Sequence, residues 1–200
     1  MIKDNPLKEK LKGHKLILGS GSPRRKKFLE EMGLDFEVKT KSIDEIYPEK
    51  LQGKDISNYL AQLKAVPFKR ELKDNEIVLT SDTVVWHNEK SLAKASNEIE
   101  AFQMLRTLSG DWHEVITSVC FTTKTSQKTV CEKTSVSIMD FTDAEIKYYI
   151  NNYKPFDKAG AYGIQEWIGM IGISGIRGSY NNVVGLPTHL VYKTLTDMVS

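Results

Sequence analysis

The sequence predicts an α/β fold built on a mixed central sheet with flanking helices. Two observations carry the prediction. Short apolar runs suited to buried strands alternate with amphipathic helical stretches through the first half. Two long strand-like stretches around a polar turn then follow, so the sheet cannot be purely parallel.

The elements follow in order. Lys15–Leu18 is a short apolar run ending before Gly19, the pattern of a buried strand. Ser22 is a helix N-cap and Pro23 occupies the first helical position, where a missing N–H costs nothing. Phe28, Leu29 and Met32 form the apolar stripe of that helix, and Gly33 closes it. Residues 34–39 read as the next strand and 42–53 as a polar loop. A second helix spans about 55–70, with Ile56, Leu60 and Leu63 on one face. Residues 76–86 are the most strand-like stretch of the chain, interrupted by Asp82. Asn97, with Glu100 three residues on, caps a helix that ends at Gly110. Residues 112–122 and 128–138 pair as strands. Thr142 and Glu145 form a capping box for a further helix. Residues 168–176 mix glycine with isoleucine, which suits a strand with close backbone approaches. Pro187 opens the last helix, with Leu190, Val191, Leu195 and Met198 inward.

Composition limits the function. A chain of 200 residues makes one domain, and it buries roughly 70% of its unfolded surface without staples. Residues 1–13 read as an extension, mobile or docked on the surface, and 14–200 as one domain with two lobes around a cleft. The net charge of +2 provides no long-range field for non-specific nucleic-acid binding, so any anion site is local. Cys120 and Cys131 show neither a disulfide framework nor metal spacing. The N-terminus lacks the apolar core of a signal peptide, and no stretch is long enough for a membrane span. The expectation is a cytoplasmic protein with no membrane or nucleic-acid partner.

Several residues could carry chemistry. At Ser20-Gly21-Ser22-Pro23-Arg24-Arg25 a strand ends and a helix begins with two arginines in its first turn. Cations there oppose the helix dipole, so something must compensate. Free N–H groups, serine hydroxyls and guanidiniums aimed together suit a phosphate; a capped helix with solvated arginines is the plainer alternative. The segment lacks the GK[ST] ending of a P-loop. Asp82, followed by Thr83, is a carboxylate in an apolar strand, either hydrogen-bonded or facing a cleft. Asp44 and Glu45 could hold Mg²⁺, although alone such a pair reads as a solvated loop. Lys64 and Lys94 are surface lysines unless a phosphate lies near. The small-residue segments 157–165 and 178–187 imply tight packing or a close ligand. His113 reads as structural, and His14, His87 and His189 show no triad or metal spacing.

Together these segments resemble the Maf family of nucleotide pyrophosphatases. The matching stretches are residues 16–25, Asp44-Glu45, Lys64-Ala65, 81–85, Ser109-Gly110 with His113 and Val115, 157–165 and 178–187. They occur in family order over nearly the whole chain after the first dozen residues. Ser81, Ala95, Glu166 and Arg177 depart from residues usual at their positions. The resemblance implies a fold similar to inosine triphosphate pyrophosphatases. It implies hydrolysis of nucleoside triphosphates to the monophosphate and pyrophosphate with a divalent metal, and Glu45 and Asp82 are expected to hold or orient that Mg²⁺ or Mn²⁺. It assigns Asp82 as proton acceptor, and Glu45 is expected as a second catalytic carboxylate. It assigns Arg24, Thr83 and Gln165 to specificity. Ser20, Ser22, Arg24, Arg25, Lys64 and Lys94 would hold phosphates. The segment Asp157-Lys158-Ala159-Gly160-Ala161-Tyr162-Gly163-Ile164-Gln165 looks like the dTTP/UTP branch. A homodimer is common in the family. Two alternatives are a same-family enzyme of different base specificity and a nucleotide-binding regulator of septum formation without turnover.

Overall fold

The computed structural model describes residues 5–199; the start of the predicted extension, residues 1–4, lies outside them. In chain order the first elements are α1 (Pro6–Lys10), β1 (Lys15–Leu18), α2 (Pro23–Glu31), β2 (Phe36–Val38), α3 (Lys54–Lys69) and β3 (Glu76–His87). Then come β4 (Lys90–Leu92), α4 (Glu98–Leu108), β5 (Trp112–Thr122), β6 (Gln127–Ile138) and α5 (Asp143–Tyr153). The chain ends with α6 (Trp167–Gly172), β7 (Ile173–Arg177), α7 (Tyr180–Val184) and α8 (Thr188–Met198).

One sheet runs in the order β2-β1-β3-β5-β6-β7, with β4 paired to β3. β1 is parallel to β2 and β3, and the pairs β3/β5, β5/β6 and β6/β7 are antiparallel. The sheet is therefore mixed, as the alternation followed by a hairpin requires. Helix starts follow local chemistry. Ser22 caps α2 by accepting from the Arg25 N–H, and Thr142 with Glu145 forms a full capping box on α5.

β3 is the spine of the molecule, and its period of two sorts its neighbours. Val78 and Val84 face α3: Val78 packs with Phe68 of that helix, and Val84 with Ile56 and Leu60. Thr80 shares this face and donates to the Ala61 carbonyl at 2.7 Å. Ile77 and Leu79 point the other way, into a core with Leu29 of α2 and Val191 and Leu195 of α8. Leu7 of α1 is fully buried in that same core, so the N-terminal stretch from Asn5 onward is docked. Val85, on this second face but further along, belongs to another core with Leu105 of α4 and Ile146 and Tyr149 of α5. Among the described residues no helix is long and apolar enough to cross a membrane.

Two elements differ from the sequence reading. β3 is an unbroken strand of 12 residues, so Asp82 does not interrupt it. Lys64 of α3 satisfies the side chain, and the backbone keeps its ladder, pairing with Ser118 of β5. Residues 168–176 are not one strand, because α6 occupies the first part and β7 the second. The glycines do serve close approaches, but of a helix. A Cβ at Gly169 would meet the Ile164 carbonyl oxygen at 2.0 Å, and one at Gly172 would meet the Phe141 ring at 2.0 Å.

The contact at Gly169 is with backbone, which cannot swing aside. Gly169→Ala should therefore cost about 3 kcal/mol through overpacking. A thermal melt of the variant should fall by roughly 6–12 °C. A melt within a degree of wild type would show that α6 can shift freely off residue 164.

Candidate active site

The cleft exists because β1 stops before β3 does. Leu18 pairs with Leu79, and beyond that point β3 has no strand partner on this edge until Val85 meets Leu92 of β4. The chain turns away at Gly19, where a Cβ would come within 2.7 Å of Thr80 Cγ2. Only glycine lets the loop cross the strand so closely. With the edge open, Asp82 and Thr83 both reach one cleft although they point to opposite faces of the sheet.

The loop after Gly19 is held by its own side chains. Ser20 Oγ accepts from the Ser22 N–H at 3.3 Å and from Arg25 Nη1 at 3.3 Å. Arg25 reaches further. Its Nε donates to the Gly185 carbonyl at 3.0 Å, Nη1 to the Ser81 carbonyl at 2.8 Å, and Nη2 to Thr83 Oγ1 at 3.2 Å. Most of the fork is thus committed to protein acceptors, and the guanidinium ties three distant segments together. Burial lowers its pKa, while the Asp82 carboxylate pulls the other way. Arg24 points elsewhere and pairs with Asp157 at 2.9 Å.

On the α3 side, Lys64 Nζ lies 2.6 Å from Asp82 and 3.1 Å from Glu45. One ammonium therefore bridges two carboxylates. Burial raises the Asp82 pKa above the ordinary aspartate value, against the pull of Lys64 and Arg25 and with a push from Glu45. Burial also works to raise Glu45, but Lys64, Lys94 and Arg25 hold its pKa below the usual carboxylate value. Two neighbouring acids are driven apart, one towards a better base and one towards a fixed anion.

The remaining predicted residues complete the wall. Ser20, Ser22, Arg24, Arg25, Glu45, Lys64, Asp82, Thr83, Lys94 and Gln165 all line a single cleft of about 470 Å³. Of the acidic pair only Glu45 reaches it; Asp44 is not part of the wall. Thr83 Oγ1 lies 3.0 Å from Thr117 Oγ1, and Gln165 is exposed at the cleft. Segment 178–187 contributes through Gly185, whose carbonyl receives Arg25. His113 stays outside the cleft, with Nε2 2.7 Å from the hydroxyl of Tyr162, a cleft residue. Sequence reasoning missed Thr40 and Lys41, which also line the cleft and sit in a polar loop with no distinguishing pattern. It also missed the ionic partners within 157–165, having read that segment only for its small residues.

The carboxylates suit a hard divalent cation. They are close enough to share Lys64, and Mg²⁺ is commonly held by one or two carboxylates plus substrate phosphates. Among the described residues no group of three or more His, Cys, Asp and Glu could hold a metal ion, so a cation would draw further ligands from substrate and water.

The chain is similar to several known proteins. The family model described as Maf-like protein matches residues 15–198. The dTTP/UTP pyrophosphatase of Flavobacterium johnsoniae is 54% identical over 193 residues, covering 96% of this chain and 100% of the relative. That of Christiangramia forsetii is 50% identical over 194 residues, covering 97% of this chain and 99% of the relative. Among solved structures, the nucleoside-triphosphatase, or dITP/XTP pyrophosphatase, of Mycobacterium abscessus is 13% identical with a TM-score of 0.41, covering 92% of this chain and 95% of that one.

The buried His113 predicts a pH effect on stability. Burial, helped by the charge of His87 and opposed by Asp111, pulls its pKa from 6.5 down to about 4. Between these values the unfolded chain binds a proton that the folded chain refuses, so stability falls as pH drops through that window. Going from pH 7 to pH 5 should remove roughly 2 kcal/mol of unfolding free energy through this residue. Denaturant titrations of wild type and His113→Gln at both pH values should show the smaller loss in the variant. Equal losses would exclude His113 as the source.

Proposed function

The chain belongs to the Maf family, and from that membership we propose that it hydrolyses dTTP and UTP to the monophosphate and pyrophosphate. The observation that carries the reading is the pair Asp82 and Glu45, bridged by Lys64 in a cleft walled by arginine, lysine and serine. Relatives described as dTTP/UTP pyrophosphatases, about half identical over nearly their full length, support the choice of base.

A triphosphate carries about four negative charges, and nucleotidyl transfer is mostly positioning and charge neutralisation. Ser20, Ser22, Arg24, Lys64 and Lys94 bind the phosphates in this reading. Arg25 contributes its charge and keeps the loop in place through its protein acceptors. Glu45 and Asp82 would hold Mg²⁺ or Mn²⁺, which when bound supplies Lewis-acid stabilisation of charge on the phosphate oxygens. Asp82, buried at the cleft beside Lys64, takes a proton from the water that attacks the α-phosphorus. Pyrophosphate leaves. Thr83 and Gln165 present hydrogen-bonding groups to the edge of a uracil or thymine. A polar site of that kind rejects bases that leave it unpaired.

The test is a pyrophosphate-release panel of dTTP, UTP, CTP and 7-methyl-GTP, with and without Mg²⁺. Metal-dependent release, fastest from dTTP and UTP, is expected. Preference for 7-methyl-GTP would move the protein to another branch of the family, and no release from any of them would leave a binding protein.

Asp82→Asn keeps the shape and removes the base. Turnover should drop by about two to four orders of magnitude. Circular dichroism and a thermal melt should show the variant folded. Near-normal turnover would take Asp82 out of the mechanism.

A further inference from the structure

The turn that carries Gln165 is held at both ends by one hydroxyl. Glu166 N–H donates to the Gly163 carbonyl at 3.0 Å, closing a four-residue turn with Gln165 at its third position. Tyr149 OH accepts from the Gly163 N–H at 3.0 Å and donates to Glu166 Oε2. Tyr149 is fully buried in α5, and its stacking on Tyr153 fixes the ring. The other Glu166 oxygen lies 3.0 Å from Lys158 Nζ.

Lys158 is 8% exposed and needs its partners. It has two, Glu166 and Asp157, the latter at 2.7 Å. Asp157 in turn holds Arg24. One run of contacts therefore leads from Tyr149 through Glu166, Lys158 and Asp157 to Arg24, joining the turn to the loop after β1. Packing allows little slack, because a Cβ at Gly163 would come within 2.8 Å of the Glu166 carboxyl carbon. Burial, then the Glu166 carboxylate, raises the Tyr149 pKa, so the hydroxyl keeps the proton that it donates.

We infer that Tyr149 and Glu166 form a clamp that sets base discrimination by holding Gln165. They are positioning residues, and the inference rests on the reading that Gln165 meets the base. A glutamine amide can offer donor and acceptor in either order. It discriminates only if its backbone is held at one distance and angle from the base, which calls for support from behind. Neither Tyr149 nor Glu166 is part of the cleft wall, so each acts from behind the turn.

The test compares Tyr149→Phe, Glu166→Ala, Glu166→Gln and Gln165→Ala in the full chain. Kinetics on UTP and CTP are read alongside amide hydrogen exchange of residues 160–167 and a thermal melt. Tyr149→Phe and Glu166→Ala should each narrow the UTP-to-CTP ratio of kcat/KM by about tenfold, the scale of one lost hydrogen bond. The change should come through KM, with kcat on UTP altered less than about threefold. Exchange at Gly163 should quicken in both. Glu166→Gln keeps an acceptor for Tyr149 and should recover part of the ratio.

The outcomes separate two failures. If Gln165→Ala changes the ratio and the clamp variants do not, the clamp is overturned and the base reading survives. A lower melting temperature with an unchanged ratio is the same result, a merely structural role. If Gln165→Ala leaves the ratio unchanged, the base reading falls and the clamp's role in selectivity falls with it.

Discussion

The fork of Arg25 is the interaction on which the rest of the cleft depends. A cation in the first turn of a helix is in the wrong place for the helix dipole. Here the misfit is offset by carbonyls of Ser81 and Gly185 and hydroxyls of Ser20 and Thr83. These acceptors come from three parts of the chain that share no local pattern. Planar geometry and several donors let one side chain join them, which a lysine could not reproduce. The loop after β1, the open edge of β3 and the turn before α8 therefore keep fixed relative positions.

The same principle runs through the other charges of the site. Lys64 lies between Asp82 and Glu45, Arg24 lies on Asp157, and Lys158 lies between Asp157 and Glu166. Each cation is aimed before any ligand arrives. Prepared charges and dipoles of this kind need little reorganisation when an anion binds. In the proposed reading, this is how a chain with a net charge of only +2 presents a local anion site. The positive groups are concentrated at one sheet edge and balanced by carboxylates beside them.

Much of the fold was legible because helix and strand periods are local. Ser22, Pro23 and Gly33 marked α2, and Thr142 with Glu145 marked α5, through contacts spanning three or four residues. Reading stopped where distant groups decide. Asp82 looked like a break in β3 because a carboxylate in an apolar run needs a partner, and the partner is Lys64 on another element. Residues 168–176 looked like a strand because glycine and isoleucine fit one. The first part is a short helix, whose glycines let it pack against the Ile164 carbonyl and the Phe141 ring. Thr40 and Lys41 carried no signal at all, since nothing in a polar loop says which cleft it will face.

By itself the sequence determined the α/β alternation, the helix caps and the set of polar residues from which the cleft is built. Those depend on short-range periodicity and on residue types, which one chain displays in order. Tertiary structure alone decided how the similar residues divide their roles. Arg25 became a strut and Arg24 a tethered arm, Glu45 joined the wall without Asp44, and Lys64 came to bridge two carboxylates. The physical reason is that a charge is defined by its partners, and here the partners lie as many as 160 residues away.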